Sequence, residues 1–190
     1  MTLDDIESRG LVMLGCGKMG SAMLAGWLAG GISPGSVSVV DPAPSDWVTG
    51  TGVHVNAPLP PAPAIVIIAV KPQMMAEALP TLKGYGGGAT LFVSVAAGTS
   101  LATYAEILGA ETPVIRAMPN TPAAVGKGIT AVIGSNASTG AHLDLAEHLL
   151  SAVGAVVRRE NEGQMDAVTG LSGAGPAYVF HMIECMTAAG

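Results

Sequence analysis

Three glycines near the start of the chain have the spacing Gly-x-Gly-x-x-Gly, in the run Gly15-Cys16-Gly17-Lys18-Met19-Gly20. An apolar run typical of a buried strand, Leu11–Leu14, precedes them, and apolar residues at helical spacing follow over 19–29. In such a strand–turn–helix unit the first glycine allows a tight turn, the second admits a pyrophosphate close to backbone N–H groups, and the third lets the helix pack on the strand. The positive end of the helix dipole also favours phosphate. The six residues therefore predict a dinucleotide-binding loop.

An acidic residue at the end of the second predicted strand bears on which dinucleotide is bound. Asp41 follows Val37–Val40 and stands about 20 residues after the glycine-rich run. A carboxylate there accepts hydrogen bonds from the 2′-hydroxyl of NAD and repels the 2′-phosphate of NADP. Pro42 makes a simple turn an equally good interpretation of this position. The next basic residue is Lys71, so the residues alone slightly favour NAD.

The elements that position these residues follow from apolar runs and the Gly and Pro residues between them. We predict strands over 11–14, 37–40, 53–55, 65–70, 90–95, 114–118, 129–133 and 155–158. We predict helices over 19–29, 73–82, 101–108 and 138–152, the third with Ser100 as its N-cap. Strands that alternate with helices indicate an α/β protein with a Rossmann-type doubly wound, mostly parallel sheet covered on both faces.

The pattern changes after residue 160. Residues 164–169 are predicted to be helical, 170–175 to form a turn, and 177–189 to form a last helix with Pro176 at its start. That helix is apolar nearly all round, which is typical of a buried helix. We therefore predict a dinucleotide-binding domain over 1–160 and, over 161–190, the beginning of an all-α dimerisation domain that is cut short. A partner chain and a further C-terminal segment are both expected to cover the last helix.

Five segments resemble pyrroline-5-carboxylate reductases and occur in that family's order. They are GCGKMG over 15–20, AVKPQ over 69–73, SVAAG over 94–98, RAMPNTPA over 116–123 and TGLSGAGPAY over 169–178. The resemblance covers the chain from about residue 11 to its end. The fourth and fifth segments are the most specific to the family.

The resemblance also implies site residues beyond the glycine-rich run. It assigns to the cofactor Asn56 on the adenosine side, Ala69, Val70, Lys71 and Pro72 along the ribose and phosphates, and Val95, Ala96, Ala97, Met118, Pro119 and Asn120 near the nicotinamide. It assigns to the substrate Asn120, Thr121, Ser172, Gly173, Ala174 and Gly175, where amides at a helix N-terminus suit a carboxylate. Without the resemblance, a solvated loop lysine is an alternative interpretation of Lys71, while Asn56 would be a polar turn residue and Met118 part of the core. Many relatives have Ser or Thr in place of Ala174, so one hydroxyl is lost here.

The activity implied by the resemblance is the reduction of 1-pyrroline-5-carboxylate to L-proline by hydride transfer from NAD(P)H, the last step of proline biosynthesis. Family members often use NADPH, whereas Asp41 favours NAD, so the cofactor is NADP or NAD. In the family the proton donor comes from a C-terminal helical domain with a Ser-Pro-Gly-Gly-Thr-Thr stretch, which this chain lacks. We therefore assign no catalytic residue and predict little activity for these 190 residues.

Two alternatives remain open at this stage. A β-hydroxyacid-type dehydrogenase of the same build would carry a catalytic lysine on a helix after the Rossmann domain, and 164–177 contain none. A non-catalytic dinucleotide-binding protein is the second alternative, because the region expected to complete the active site is missing.

The charge and hydropathy of the chain exclude some classes of binding partner. A net charge of −6 and scattered Lys and Arg residues argue against nucleic acid. The strongest apolar run, 64–70, is much shorter than the roughly 20 residues of a spanning helix, and the polar first nine residues do not form a signal peptide. We predict a cytoplasmic protein without membrane association, with a small-molecule substrate and copies of itself as partners through the C-terminal helices. Cys16 and Cys185 are expected to be free thiols, and the four histidines form no metal site.

Overall fold

Short apolar runs form the strands of one central sheet in the computed structural model, which describes residues 1–190. The strands are β1 (Leu11–Leu14), β2 (Val37–Val40), β3 (His54–Val55), β4 (Ile65–Ile68), β5 (Leu91–Ser94), β6 (Val114–Met118), β7 (Gly128–Gly134) and β8 (Gly154–Arg158). Their order across the sheet is β3-β2-β1-β4-β5-β6-β7-β8. All neighbouring pairs are parallel except β6 and β7. The order reverses between β1 and β4, so the sheet is doubly wound and mostly parallel, as predicted.

The antiparallel pair results from the short connection between β6 and β7. Residues 119–127 contain only a 3₁₀ turn, Thr121–Val125, and a parallel crossover needs a dozen or more residues. Met118 is paired with Ala131, so the beginning of β7 lies beside the carboxyl end of β6. The connection therefore keeps residues 119–121 at the sheet edge where β1, β4 and β5 also end.

Helices cover both faces of the sheet. They are α1 (Leu3–Arg9), α2 (Lys18–Ala29), α3 (Asp46–Thr49), α4 (Met75–Ala78), α5 (Leu101–Leu108), α6 (Gly140–Leu150), α7 (Gln164–Val168) and α8 (Gly175–Ala189). The larger apolar core lies under α1, α2 and α6, and the smaller one under α4 and α5. The Trp27 indole donates a 2.8 Å hydrogen bond to the carbonyl of Leu149, which joins α2 to α6. The Ser100 hydroxyl accepts from the amide of Thr103, which confirms the predicted N-cap of α5.

The segment between β4 and β5 does not form the single helix predicted over 73–82. It consists of the 3₁₀ turn Pro72–Met74, then α4, then the 3₁₀ turn Leu79–Tyr85. Pro80 accounts for the difference, because proline has no N–H to donate and its ring clashes with the preceding turn of an α-helix. The prediction was wrong in its type of helix, although the segment still covers the sheet.

The turn predicted over 170–175 is also wrong. A π-helical turn, Thr169–Gly173, joins α7 to α8, and the amide of Ala174 donates to the carbonyl of Thr169 at 2.9 Å. Such i→i+5 turns occur frequently at functional sites. Ser172 therefore lies within a nearly continuous helix, and not before a free helix N-terminus.

The last helix lies on the surface of the chain. None of its residues is buried, and its large apolar side chains are exposed: Tyr178, Val179, Phe180, Met182, Ile183 and Met186. The apolar helix predicted over 177–189 is confirmed, and the preceding residues of the structure do not bury it. No helix of the structure has the length and apolar character needed to cross a membrane.

Candidate functional site

Eight of the residues predicted to bind the cofactor line one cleft at the carboxyl ends of β1, β2 and β4. Its volume is about 550 Å³. The lining comes from three segments of the chain that the sequence predicted to bind the cofactor. The glycine-rich run contributes Gly15, Cys16, Gly17 and Lys18, the end of β2 contributes Asp41, and the loop after β4 contributes Ala69, Val70 and Lys71. The sheet order reverses beside β1, and ligands of open α/β sheets bind at that point.

Each glycine of the glycine-rich loop is required for a different steric reason. Gly15 has φ +82°, and a Cβ there would lie 2.9 Å from the carbonyl oxygen of Ala69. A Cβ at Gly20 would lie 2.9 Å from the carbonyl oxygen of Gly15. A Cβ at Gly17 would meet no atom within 4 Å, so this glycine leaves space on the open side of the loop. Gly17 is also the N-cap of α2 and has no side chain to cap the first-turn amides.

Asp41 is held rigidly at the side of the cleft. One carboxylate oxygen accepts from the amide of Cys16 at 2.6 Å, and the other accepts from the amide of Ala43 at 2.8 Å. Asn56 fixes the backbone of Asp41 by donating to its carbonyl at 2.8 Å and accepting from its amide at 3.0 Å. Asn56 itself does not line the cleft, so its contacts here are with the second strand.

A second group of predicted residues meets beside β6. The side-chain amide of Asn120 donates to the carbonyl and the hydroxyl of Ser172, both at 3.4 Å, and its oxygen accepts from the amide of Ile129 at 2.9 Å. A Cβ on Gly173 would lie 2.7 Å from the terminal carbon of Met118. The structure therefore brings the loop after β6 into contact with the π turn, although more than 50 residues separate them in sequence.

The other predicted residues lie around these two groups without joining them. Val95, Ala96 and Ala97 follow β5, between the cleft and β6 in the sheet order, and Ala96 is anchored by a 3.2 Å bond from its amide to the Ser94 hydroxyl. The remaining predicted residues do not line the cleft: Met19, Gly20, Pro72, Pro119, Thr121, Ala174 and Gly175. Ala174 and Gly175 continue the π turn into α8.

Sequence analysis missed an ion pair between a buried arginine and a partly exposed glutamate near the second group. Arg116, on β6, has a side chain that is 9% exposed, and it pairs with Glu162 at 2.7 Å. The same oxygen of Glu162 accepts from the amide of Leu101 at 2.8 Å, where α5 begins. This pair joins β6, the start of α5 and the segment before α7. An arginine within the otherwise apolar strand Val114–Met118 is the signal that could have revealed it.

Replacing Glu162 by glutamine is expected to lower the free energy of unfolding by about 1–3 kcal/mol. The substitution leaves the buried guanidinium of Arg116 without its nearest charge, while Asp166, 3.8 Å away, compensates in part. Urea unfolding followed by circular dichroism measures the change. Glu160→Gln is the matched control, because Glu160 is exposed and makes no ion pair, and we expect it to change stability by less than about 0.5 kcal/mol. Equal stability of the two variants would contradict the structural role of the pair.

Burial shifts the acidity of two side chains near the site. Burial raises the pKa of the Cys16 thiol, and the nearby carboxylate of Asp41 adds to this effect. Burial likewise raises the pKa of Tyr104, whose hydroxyl donates to the Ser94 hydroxyl at 2.5 Å behind the loop after β5. Both groups therefore stay neutral at physiological pH, and neither supplies charge to the cleft.

The fold and the cleft together define a class of protein. A doubly wound sheet, a glycine-rich turn between β1 and α2, and an acidic residue at the end of β2 are the features of a Rossmann-type dinucleotide-binding protein. Comparison with known proteins narrows this class to one family.

Two family models match this chain. Residues 11–98 match the one described as NADP oxidoreductase, coenzyme F420-dependent, and residues 162–190 match pyrroline-5-carboxylate reductase dimerisation. The pyrroline-5-carboxylate reductase of Methanosarcina acetivorans is 38% identical over 95% of this chain and 69% of its own length. The solved reductase of Coxiella burnetii has a TM-score of 0.86 at 29% identity, over 95% of this chain and 70% of the other. Pyrroline carboxylate reductase of Plasmodium falciparum, solved with NADP bound, has a TM-score of 0.83 at 27% identity, over 96% and 69%. The chain belongs to the pyrroline-5-carboxylate reductase family.

Proposed function

We propose that this chain binds NAD(P)H in the cleft beside β1 and contributes the cofactor side of a reductase that converts 1-pyrroline-5-carboxylate to L-proline. The observation that carries the proposal is the convergence of the glycine-rich loop, Asp41 and the loop after β4 on one cleft. Membership of the family supplies the substrate class. We further propose that residues 1–160 form the dinucleotide-binding domain and that 161–190 begin a helical domain.

The residues of the cleft fit a dinucleotide. The open space over Gly17 admits a pyrophosphate, and the uncapped first turn of α2 offers amide donors and the positive end of its dipole. Lys18 and Lys71 are exposed on the cleft lining and add positive charge toward the phosphates. When bound, the nicotinamide supplies the hydride.

We propose that the site favours NADH over NADPH. The carboxylate of Asp41 is fixed by two backbone amides and cannot swing away from a 2′-phosphate without losing both hydrogen bonds. No arginine lines the cleft to neutralise that phosphate. The Plasmodium falciparum reductase, in contrast, was solved with NADP bound. The relative affinity of this chain for NADH and NADPH therefore tests the role proposed for Asp41.

The second group of residues suits the imine side of the reaction. Met118 and Asn120 lie beside Ser172 and Gly173 at the edge of the sheet where β5 and β6 end. In this proposal they hold the substrate against the nicotinamide and exclude water, which is what hydride transfer requires of the protein. No residue of the chain is given the role of proton donor.

We also propose that a second copy of the chain covers α8. Six large apolar side chains of this helix are exposed, and such a contiguous apolar surface marks an interaction site. The match of residues 162–190 to a dimerisation family supports a self-association surface.

The experiment that tests the proposed function measures oxidation of NADH and NADPH, with and without 1-pyrroline-5-carboxylate, together with cofactor binding by nicotinamide fluorescence. We expect tight cofactor binding, stronger for NADH, and imine-dependent oxidation that is slow. Absence of binding for both cofactors would overturn the proposal. Oxidation that does not depend on the imine would overturn the assigned substrate.

A further inference from the structure

One arginine of the structure has no partner within its own chain. The Nε atom of Arg159 is buried without a hydrogen-bond partner, and its guanidinium takes part in no ion pair. The neighbouring Arg158, in contrast, pairs with Asp144 and Glu147, both at 2.6 Å. Buried polar groups of native proteins nearly always have a partner, so the exception at Arg159 indicates that something outside the chain supplies one.

The unpaired arginine lies at a mostly apolar recess beside the π turn. The recess has a volume of about 170 Å³, its polar residues are Arg159 and Ser172, and its walls are Ile129, Ala131, Val157 and Val168. The amide of Arg159 donates to the carbonyl of Val132 at 2.8 Å, which fixes the backbone at the edge of the sheet. No acidic residue lines the recess. It therefore presents an apolar surface with one cation that lacks a counter-charge.

Helix α8 has the complementary composition. Among its exposed apolar side chains, Glu184 is the one carboxylate, and no Lys, Arg or Asp occurs between Gly175 and Ala189. The side chain of Glu184 is 82% exposed and contacts only the imidazole of His181, at 3.6 Å. Phe180 is also exposed and precedes Glu184 by one helical turn, so the two share a face of the helix. This face presents an aromatic ring and a carboxylate that the chain itself does not cover.

We infer that two copies of the chain pack their α8 helices antiparallel, so that Glu184 of each copy pairs with Arg159 of the other. In the same contact, Phe180 of each copy enters the apolar recess of the other. The inference rests on the proposed function, because that proposal assigns a second copy to α8. It adds the surface that receives α8 and the charge pair that fixes the register of the two helices.

The spacing along the helix is consistent with a two-fold contact. In an isologous dimer, a residue that meets a second residue of the partner is met by it in return. The recess contains Ser172, and Glu184 lies about 18 Å further along a nearly continuous helix, at about 1.5 Å per residue. Two antiparallel helices that cross at Tyr178, midway between these positions, bring each Glu184 to the opposite recess. Tyr178 and the adjacent Val179 are exposed, as such a crossing point requires.

A second copy accounts for both unpartnered features with one contact. A small anion would neutralise Arg159 but would leave the apolar face of α8 in water. An apolar partner would cover α8 but would leave the guanidinium unpaired. The helix of a second copy supplies the carboxylate and the apolar side chains together, and an ion pair enclosed by apolar walls is stronger than one in water. The match of residues 162–190 to a dimerisation family agrees with this choice of partner.

The test is a charge reversal on each side of the pair, followed by sedimentation velocity over a range of protein concentrations. Arg159→Glu and Glu184→Arg each place like charges at both contacts of the dimer, and each is expected to weaken self-association by about 10-fold or more. Mixing the two variants is expected to restore association, because each contact of a mixed dimer again joins one positive and one negative side chain. The double variant is expected to associate as the unsubstituted chain does.

Lys83→Glu is the matched control, since it changes the net charge as Arg159→Glu does but lies on an exposed turn outside the recess. We expect it to associate normally, and circular dichroism checks that every variant is folded. Unchanged association in both single variants would overturn the inference. Rescue in the double variant but not on mixing would also overturn it, because the pair would then form within one chain.

The same samples separate this inference from the proposed cofactor site. Arg159 and Glu184 lie outside the dinucleotide cleft, so NADH binding by fluorescence is expected to be the same in the single variants and the unsubstituted chain. Association that is strong in every variant would refute the charge pair and leave the proposed function standing. An unsubstituted chain that stays monomeric would refute both the pair and the self-association of α8, whatever its affinity for NADH.

Discussion

Replacing Asp41 by asparagine is expected to change the ratio of NADPH to NADH affinity by about 100-fold in favour of NADPH. The substitution removes a fixed negative charge beside the 2′ position, and relief of that repulsion is worth about 1–3 kcal/mol for NADPH. NADH loses a charge-assisted hydrogen bond to its 2′-hydroxyl and is expected to bind about 10-fold more weakly. Fluorescence titration with each cofactor measures the change and needs no turnover.

The ratio separates the effect of charge from the effect on the loop. Asparagine has one acceptor oxygen, so it cannot accept from both Cys16 and Ala43 as the carboxylate does. The loosening of the glycine-rich loop affects both cofactors equally and cancels in the ratio. Asp46→Asn is the matched control, since it removes the same charge from exposed α3 outside the cleft lining. If Asp41→Asn and Asp46→Asn had the same ratio of NADPH to NADH affinity, Asp41 would not discriminate between a hydroxyl and a phosphate at the 2′ position.

The sequence pattern predicted the dinucleotide-binding cleft because its geometry depends on residues that are close together in sequence. The strand, the glycine turn and α2 lie within 20 residues, and each glycine has a steric reason that its neighbours determine. Asp41 was predictable from its place at the end of β2, because carboxyl ends of neighbouring parallel strands meet at one edge. What no pattern indicated is that both oxygens of Asp41 are bound by backbone amides.

The second half of the site depends on long-range contacts that periodicity does not encode. Arg116 pairs with Glu162 across 46 residues, and Asn120 meets Ser172 across 52. The three glycines and the serine of 170–175 are typical of a turn and led to that prediction, yet the close packing of Gly173 against Met118 accompanies a helical backbone over Thr169–Gly173.

Gly17→Ala is expected to fold normally and to bind NADH at least about 100-fold more weakly. The backbone at Gly17 has φ −70°, which alanine adopts freely, and a methyl group there meets no protein atom within 4 Å. The free chain therefore loses little stability. A bound pyrophosphate would have to occupy the space of that methyl group, and displacing it forfeits several hydrogen bonds of about 1.5–3 kcal/mol each. Fluorescence titration and thermal unfolding of the same samples measure both quantities.

Substitutions at two other glycines serve as controls for Gly17→Ala. Gly15→Ala is expected to lose stability and binding together, because φ is +82° and the methyl group would press on the backbone of Ala69. Gly140→Ala, at the start of α6, also meets open space but lies outside the cleft, so binding is expected to stay unchanged. In the free protein neither added methyl group meets another atom within 4 Å, so both variants are expected to keep their stability. A loss of NADH affinity in Gly17→Ala alone would therefore be caused by a ligand that lies over the glycine-rich loop. Normal NADH affinity in Gly17→Ala would mean that the pyrophosphate does not pass over this loop, and the proposed cofactor site would be wrong.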